Sequence, residues 1–199
     1  MTSSSKPFAL VIHGGAGVIE RDQLSAADEQ SIRDDLGRAL KAGHDILANG
    51  GTALNAVEAA VVALEESPRF NAGKGSVYNA EGRHELDASI MEGHTRRAGA
   101  VAGVETIRNP VKLARVVMEH SPHVMMISAG AEQFADTQPQ IERVANDWFD
   151  TDTRRVQLEL EQARERATKA DADNLRGKYF GTVGAVALDA HGNLAAATS

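Results

Sequence analysis

Residues 53–66 carry apolar side chains on nearly every side of the helix that their spacing predicts. Such a helix is stable in a globular protein only when other elements cover it on several sides. Thr52, directly before it, is a residue type that caps helix starts, and Pro68 ends the segment. The sequence therefore requires a layered fold in which this helix is buried.

Short apolar runs and helical patterns alternate around this segment. Residues 8–12 form a continuous apolar run with β-branched members, which predicts a strand buried on both faces, and the glycine-rich turn 13–17 follows. Helical spacing predicts a helix over residues 25–47, stopped by an Asn-Gly-Gly sequence at 49–51. The alternation predicts an α+β or layered α/β domain.

The rest of the chain continues the alternation. The predicted elements are strands over 86–91, 98–104 and 123–128, a helix over 110–120 that begins with Pro110, a strand over 181–189, a turn at 190–193 and a returning strand over 194–199. A domain that ended within this last apolar strand would leave ladder groups unpaired. We therefore expect the sequence to stop short of the natural end of its domain.

Residues 150–178 differ from the rest, because 14 of these 29 residues are charged. Few large apolar side chains are present there to offset the entropy lost on ordering. We expect a helix that frays into a mobile charged linker over residues 150–181.

Composition narrows the class of function. The formal charge of −7 argues against a protein that coats nucleic acid or binds membranes through basic residues, and favours small molecules or peptides as partners. Cysteine is absent, so a nucleophile must be oxygen or nitrogen. The apolar run at 8–12 is too short for a signal-peptide core or a membrane span, which predicts a cytoplasmic protein.

Three motifs have ordinary alternatives. The turn 13–17 resembles an esterase oxyanion loop, but the Gly-x-Ser-x-Gly motif of esterases is missing. Residues 73–76 fail the spacing of a phosphate-binding loop, and the scattered histidines show no zinc-ligand pattern. In a strand, His84 and Leu86 would share one face and the acidic residues 85 and 87 the other, so we interpret His84 as part of a satisfied polar network.

Thr182 is the strongest catalytic candidate that the residues provide. A threonine at the start of a strand is ordinarily structural. Here a charged linker leads to Gly181 and then to this hydroxyl residue, which opens a buried strand. That arrangement presents a peptide bond for self-cleavage.

Seven short motifs occur in order along the chain: HGGAG at 13–17, FNAGKG at 70–75, HELDA at 84–88, GAVAG at 99–103, NP at 109–110, SPHV at 121–124 and GTVGAVA at 181–187. Together they resemble the plant-type L-asparaginase, or isoaspartyl peptidase, family of N-terminal-nucleophile hydrolases. The resemblance runs from about residue 8 to residue 199 and skips the linker.

The resemblance implies a precursor that cleaves itself between Gly181 and Thr182. Residues 1–181 would form an α subunit, and residues 182–199 the start of a β subunit. The implied fold is an α+β four-layer αββα sandwich, incomplete in this chain, which assembles as a dimer of αβ units. The implied reaction is hydrolysis of isoaspartyl (β-aspartyl) dipeptides and L-asparagine with release of L-aspartate. Glycosylasparaginases are a sister branch, but their junction usually reads Asp-Thr-Ile-Gly, whereas residues 181–184 of this chain read Gly-Thr-Val-Gly.

The chemistry of a freed Thr182 suits this reaction. Its α-amine, with a pKa near ~7.7–8.0, is partly neutral at physiological pH and can accept the hydroxyl proton, so catalysis needs no cofactor. Asn71 matches an asparagine near the catalytic threonine of the family and is a candidate orienting residue, with loop capping as the alternative.

The same resemblance makes residues 64–74 a structural sodium loop. Its expected ligands are main-chain carbonyls, those of Leu64, Glu65, Ser67, Phe70, Ala72 and Lys74. Oxygen-only coordination suits a hard cation.

The family's β subunit continues well beyond residue 199, and its second active-site threonine, substrate clamp and oxyanion donors would follow there. We therefore expect the 199-residue chain alone to be inactive. Two alternatives stay open: a non-catalytic α-type fragment that needs a separate β chain, and a glycosylasparaginase-like hydrolase.

Overall fold

The computed structural model describes residues 7–16, 24–167 and 181–199, which contain six strands and five α-helices. The strands are β1 Ala9–His13, β2 Leu86–Glu92, β3 Ala98–Val104, β4 Met125–Ile127, β5 Gly184–Leu188 and β6 Leu194–Thr198. The helices are α1 Ala26–Ala48, α2 Ala53–Glu65, α3 Pro110–His120, α4 Ser128–Asp136 and α5 Asp152–Ala167. The mixed α/β class that the alternation predicts is confirmed.

All six strands form one sheet in the order β1-β5-β6-β2-β3-β4. Every neighbouring pair is antiparallel except β3 and β4, which are parallel. Strands from the two ends of the chain are therefore adjacent, with β5 and β6 placed between β1 and β2. This arrangement sets the position of the segment that leads into β5.

Helix α2 is buried as its all-round apolar pattern predicts. The Thr52 hydroxyl accepts a hydrogen bond from the Asn55 amide at 3.2 Å and caps the helix start. The helix packs against β5 and β6, and α1 lies on it. Ala56, Val57 and Ala60 are fully buried in the resulting core. Helix α3, which begins at Pro110 as predicted, packs against β2 and β3.

The structure corrects the prediction of a strand over residues 123–128. Only Met125–Ile127 pair with β3, and Ser128 already begins α4. Ser128 has a φ of 44°, a left-handed conformation that turns the chain sharply from strand to helix. Small residues on α4, Ala131 and Ala135, provide its buried contacts, so the helix lacks the large apolar periodicity that would predict it.

The prediction that β1 is buried on both faces is wrong for the described residues, because the Val11 side chain is 67% exposed. Val11 pairs with Val186 of β5, Val186 with Ala196 of β6, and Ala196 with Met91 of β2. All four side chains of this in-register row are exposed. We call it the open apolar row; the described helices leave it uncovered.

Helix α5 confirms that the charged segment begins as a helix. Arg154 in its first turn donates a hydrogen bond from Nε to the Gly75 carbonyl at 2.7 Å, which attaches the helix to the 70–75 loop. Residues 168–180 lie outside the described residues, so the mobile linker stays a prediction. No helix in the described ranges has the length and apolarity required to cross a membrane.

Candidate active site

The Gly181–Thr182 peptide bond lies directly before β5. Thr182 is exposed, whereas the next residue, Val183, is completely buried. The backbone of Val183 exchanges two hydrogen bonds with that of Ser199, at 3.0 and 3.1 Å. The sheet therefore holds the residue that follows Thr182, while the threonine side chain stays accessible.

The Asn71 side chain contacts the carbonyl of this peptide bond. Its Nδ2 donates to the Gly181 oxygen at 2.7 Å, and its Oδ1 accepts from the Val77 amide at 2.8 Å. The Val77 N–H needs an acceptor, which assigns Oδ1 to that side and leaves the N–H donor facing Gly181. A donor at this place polarises the carbonyl and stabilises negative charge that develops on its oxygen.

Glycine at position 181 leaves room for this contact. A Cβ atom there would lie only 3.0 Å from the Cβ of Asn71. Gly15, two residues after β1, has a φ of 116°. It approaches the same bond, since a Cβ on it would lie 3.8 Å from the Gly181 Cα. The first glycine-rich turn therefore borders the junction, although Gly17 falls outside the described residues.

The expected sodium loop folds back on itself around two glycines. A Cβ on Gly73, which has a φ of 49°, would lie 2.3 Å from the Glu65 carbonyl oxygen. A Cβ on Gly75 would lie 2.2 Å from the Phe70 carbonyl oxygen. Two of the six expected carbonyl ligands therefore lie close against the backbone of these glycines.

The other expected ligands are arranged differently. The Leu64 carbonyl accepts from the Ser67 amide at 3.1 Å, and the Ala72 carbonyl accepts from the Gly75 amide at 3.2 Å. Each carbonyl oxygen has a second lone pair for a cation. In the described part of the chain no three acidic, histidine or cysteine side chains are grouped to hold a metal ion.

Side chains fix the first part of this loop to the core. Arg108 donates to both carboxylate oxygens of Glu66, each at 2.9 Å. Ser67 donates to the buried carboxylate of Asp35 on α1. Burial raises the pKa of Glu65 to about 8, and its Oε1 accepts from the Val111 amide in the first turn of α3 at 3.0 Å.

His84 lies in the polar network that the sequence predicts. The ring is completely buried, and its Nδ1 and Nε2 contact Ser76 Oγ at 2.9 Å and Asp150 Oδ1 at 3.2 Å. Leu86 is also buried, whereas Glu85 and Asp87 are exposed, which confirms the predicted division of faces. Burial lowers the pKa of His84 below 6.5, so the ring is neutral at neutral pH.

This lowered pKa predicts an acid-sensitive contribution to stability. The unfolded chain binds a proton at His84 below about pH 6.5, where the folded chain does not, so the free energy of unfolding falls as the pH decreases through that range. Urea denaturation between pH 7.5 and 5.5 measures the effect. The difference in stability between the wild type and His84→Gln should narrow at acid pH; a difference that widens contradicts the assignment.

The sequence alone missed several groups around the junction. Gly181 and Thr182 were predicted from their pattern, and Asn71 from the family resemblance. Val77 contributes only a backbone amide, which has no signature in the sequence. Ser76 carried one signal, its position directly after the 70–75 motif.

Comparison of the sequence with known proteins identifies the family of this chain. A family model described as asparaginase matches residues 6–199. An isoaspartyl peptidase of Escherichia coli K12 is 50% identical over 193 residues, which cover 96% of this chain and 60% of the bacterial protein. A human isoaspartyl peptidase/L-asparaginase is 45% identical over 193 residues, covering 97% of this chain and 59% of the human protein. The chain thus spans about three fifths of the length of these relatives.

Proposed function

The chain belongs to the asparaginase family, and from that premise we propose that the whole protein is a self-cleaving threonine amidohydrolase. Its proposed substrates are isoaspartyl dipeptides and L-asparagine, with L-aspartate as a product. The observation that carries the proposal is the Asn71 N–H placed on the Gly181 carbonyl, one residue before the exposed Thr182. The names of the bacterial and human relatives favour this reaction over that of a glycosylasparaginase.

In the proposed self-cleavage, the Thr182 hydroxyl oxygen attacks the Gly181 carbonyl carbon, and negative charge develops on the oxygen that Asn71 contacts. The bond from that carbon to the Thr182 nitrogen breaks, and the nitrogen takes up the hydroxyl proton. The resulting ester is hydrolysed by water, which leaves a carboxylate on Gly181 and a free hydroxyl and amine on Thr182. Glycine at 181 allows the close approach because a side chain would meet Asn71.

The freed Thr182 then acts on substrate. Its α-amine, with a pKa near ~7.7–8.0, accepts the hydroxyl proton as the oxygen attacks the side-chain carbonyl of the substrate. Ammonia or an amino acid leaves, and water hydrolyses the aspartyl ester on the threonine. Before cleavage the same nitrogen is an amide and cannot act as a base, so the precursor is inactive toward substrate.

Intact-mass spectrometry of the full-length protein tests the proposal. We expect two species, one ending at Gly181 and one beginning with Thr182, and ammonia release from L-asparagine only after they form. A protein that stays unsplit and still hydrolyses L-asparagine contradicts the mechanism.

We further propose a partner for the open apolar row. Exposed apolar side chains that run in register across four strands require a cover, which a second sheet from the remainder of the β subunit would provide. The result would be the αββα sandwich, and a second αβ unit would complete the heterotetramer. The proposed partners are therefore a substrate and protein subunits. That no nucleic acid and no membrane is a partner, and that the protein is cytoplasmic, stay predictions from the sequence.

We also propose sodium as a structural ion of the 64–74 loop. The carbonyl oxygens of Glu65 and Phe70, which lie close to the two loop glycines, support it, together with the second lone pairs of Leu64 and Ala72. Ser67 and Lys74 would complete the backbone ligand set. The ion would stabilise the loop that carries Asn71 and would take no part in the chemistry.

Thermal denaturation tests the ion. We expect the melting temperature to rise in sodium chloride relative to choline chloride at equal ionic strength, because a ligand at 100 times its Kd stabilises the folded state by about 2.7 kcal/mol. Gly73→Ala should abolish the rise, since its Cβ would meet the Glu65 carbonyl. Gly50→Ala is the matched control: Gly50 also has a positive φ, of 78°, but open space around it. Equal sodium effects in both variants would contradict the site.

A further inference from the structure

We propose that His84 is a positioning residue for the self-cleavage: through Ser76 and the Val77 amide it fixes the Asn71 side chain against the Gly181 carbonyl. The inference rests on the proposed function, because it concerns the rate of that cleavage. His84 itself contacts neither Gly181 nor Thr182 in the interactions described above.

The first step is the direction of the hydrogen bonds at the His84 ring. A carboxylate oxygen of Asp150 accepts hydrogen bonds, which assigns the ring proton to Nε2 as the donor to it. With Nε2 protonated and the ring neutral, Nδ1 is an acceptor. The Ser76 hydroxyl therefore donates to Nδ1 at 2.9 Å, and the ring fixes that side chain in a site where Ser76 is also buried.

The second step runs along the backbone. The amide of Ser76 donates to the Gly73 carbonyl at 3.0 Å, so both the side chain and the main chain of Ser76 are held. The next N–H, that of Val77, lies in the peptide plane that begins at Ser76. A shift of Ser76 therefore changes the direction of the N–H that donates to Asn71 Oδ1.

The third step is the Asn71 amide itself. Its two ends are bound to Val77 and to Gly181, at 2.8 and 2.7 Å. Because the group is planar, a change in the Val77 N–H direction rotates the N–H that faces the Gly181 oxygen. Stabilisation of a developing oxyanion depends on that direction.

Other contacts place the His84 backbone and ring without the Ser76 bond. The Asn146 side chain binds both the amide and the carbonyl of His84, at 3.0 and 2.9 Å. Tyr78 and Phe149 lie against the ring, with centroid separations of 4.2 and 5.9 Å. A histidine needed only for packing would not require an acceptor at Nδ1. Loss of the Nδ1 contact should therefore slow the self-cleavage by more than the accompanying loss of stability explains.

The test follows the cleavage rate of the full-length protein, made by cell-free synthesis, by intact mass over time. His84→Gln places its amide near the former Nε2 and loses the Ser76 contact. We expect it to slow cleavage about tenfold or more. This is less than the ~10²–10³-fold loss of rate that follows removal of an oxyanion donor itself. Ser76→Ala should slow cleavage similarly, and the double variant should be no slower than the slower single one, because both changes break one chain of contacts. His84→Asn, whose side-chain oxygen reaches the place of Nδ1, should restore most of the rate.

Phe149→Leu is the control, since it disturbs packing on the His84 ring and leaves the polar chain in place. Melting temperatures are measured in a Thr182→Ala background, where every variant stays unsplit. The inference is supported if His84→Gln and Ser76→Ala cleave themselves more slowly than Phe149→Leu does at an equal loss of melting temperature. Cleavage at the wild-type rate in both variants, or rates that only follow the melting temperature, would overturn this inference and leave the proposed function standing. A wild type that never splits at Gly181–Thr182 overturns the proposed function, and this inference with it.

Discussion

Thr182→Ala in the full-length protein should leave the chain unsplit and remove hydrolysis of L-asparagine and β-aspartyl dipeptides. The substitution removes the attacking oxygen of the self-cleavage, and without cleavage the nitrogen of residue 182 stays an amide. Loss of a nucleophile in a comparable hydrolase lowers kcat by roughly 10⁶-fold, so we expect activity at background. Intact mass and ammonia release measure the two effects.

Two further variants make this result specific. Thr182→Ser keeps a hydroxyl and should retain both cleavage and turnover at reduced rates. Thr95→Ala, in the exposed turn between β2 and β3, should behave as the wild type. Turnover by the unsplit alanine variant would exclude Thr182 as the nucleophile.

Asn71→Ala should slow the self-cleavage by ~10²–10³-fold, the range observed when one oxyanion donor is removed. The Nδ2 donor to the Gly181 carbonyl is lost, while Thr182 stays in place before Val183, whose backbone is paired with that of Ser199. The variant also leaves the Val77 amide without its acceptor, which costs about 1–3 kcal/mol of stability if no water replaces it. A time course of intact mass measures the rate, and thermal denaturation separates it from the loss of stability.

Asn79→Ala provides the matched control for this variant. Asn79 is an asparagine of the same region whose side chain accepts from the amides of Glu81 and Arg83 in a turn. It should cleave at the wild-type rate. If Asn71→Ala also cleaves within about twofold of the wild type, the amide plays no part in stabilising the oxyanion.

Local signals account for the elements that the sequence predicts well. Thr52 caps α2 and Pro110 begins α3, and each acts within its own helical turn. Helix α4 was missed because its start depends on Ser128 in a left-handed conformation and on small buried residues. The exposure of Val11 was missed because it depends on what covers the sheet, which a single strand does not encode.

The candidate site divides in the same way. The Gly181–Thr182 junction is visible as a local pattern after a charged segment. Asn71 lies 110 residues away in sequence, and His84 lies 66 residues from Asp150, so both contacts depend on the tertiary fold rather than on local sequence. The family resemblance indicated Asn71, but the amide of Val77 and the link through Ser76 required coordinates.

The strand order β1-β5-β6-β2 determines how the two pieces would be held together after the proposed cut. The piece that begins at Thr182 contributes β5 and β6 to the interior of the sheet, where backbone ladders to β1 and β2 hold it on both sides. The two polypeptides would stay together after cleavage without any covalent bond. Reassembly of one αβ unit after denaturation would then be a bimolecular reaction, so its thermal stability would depend more steeply on protein concentration after the cut than before it. The intact precursor is therefore the form in which the sheet assembles at a rate independent of dilution.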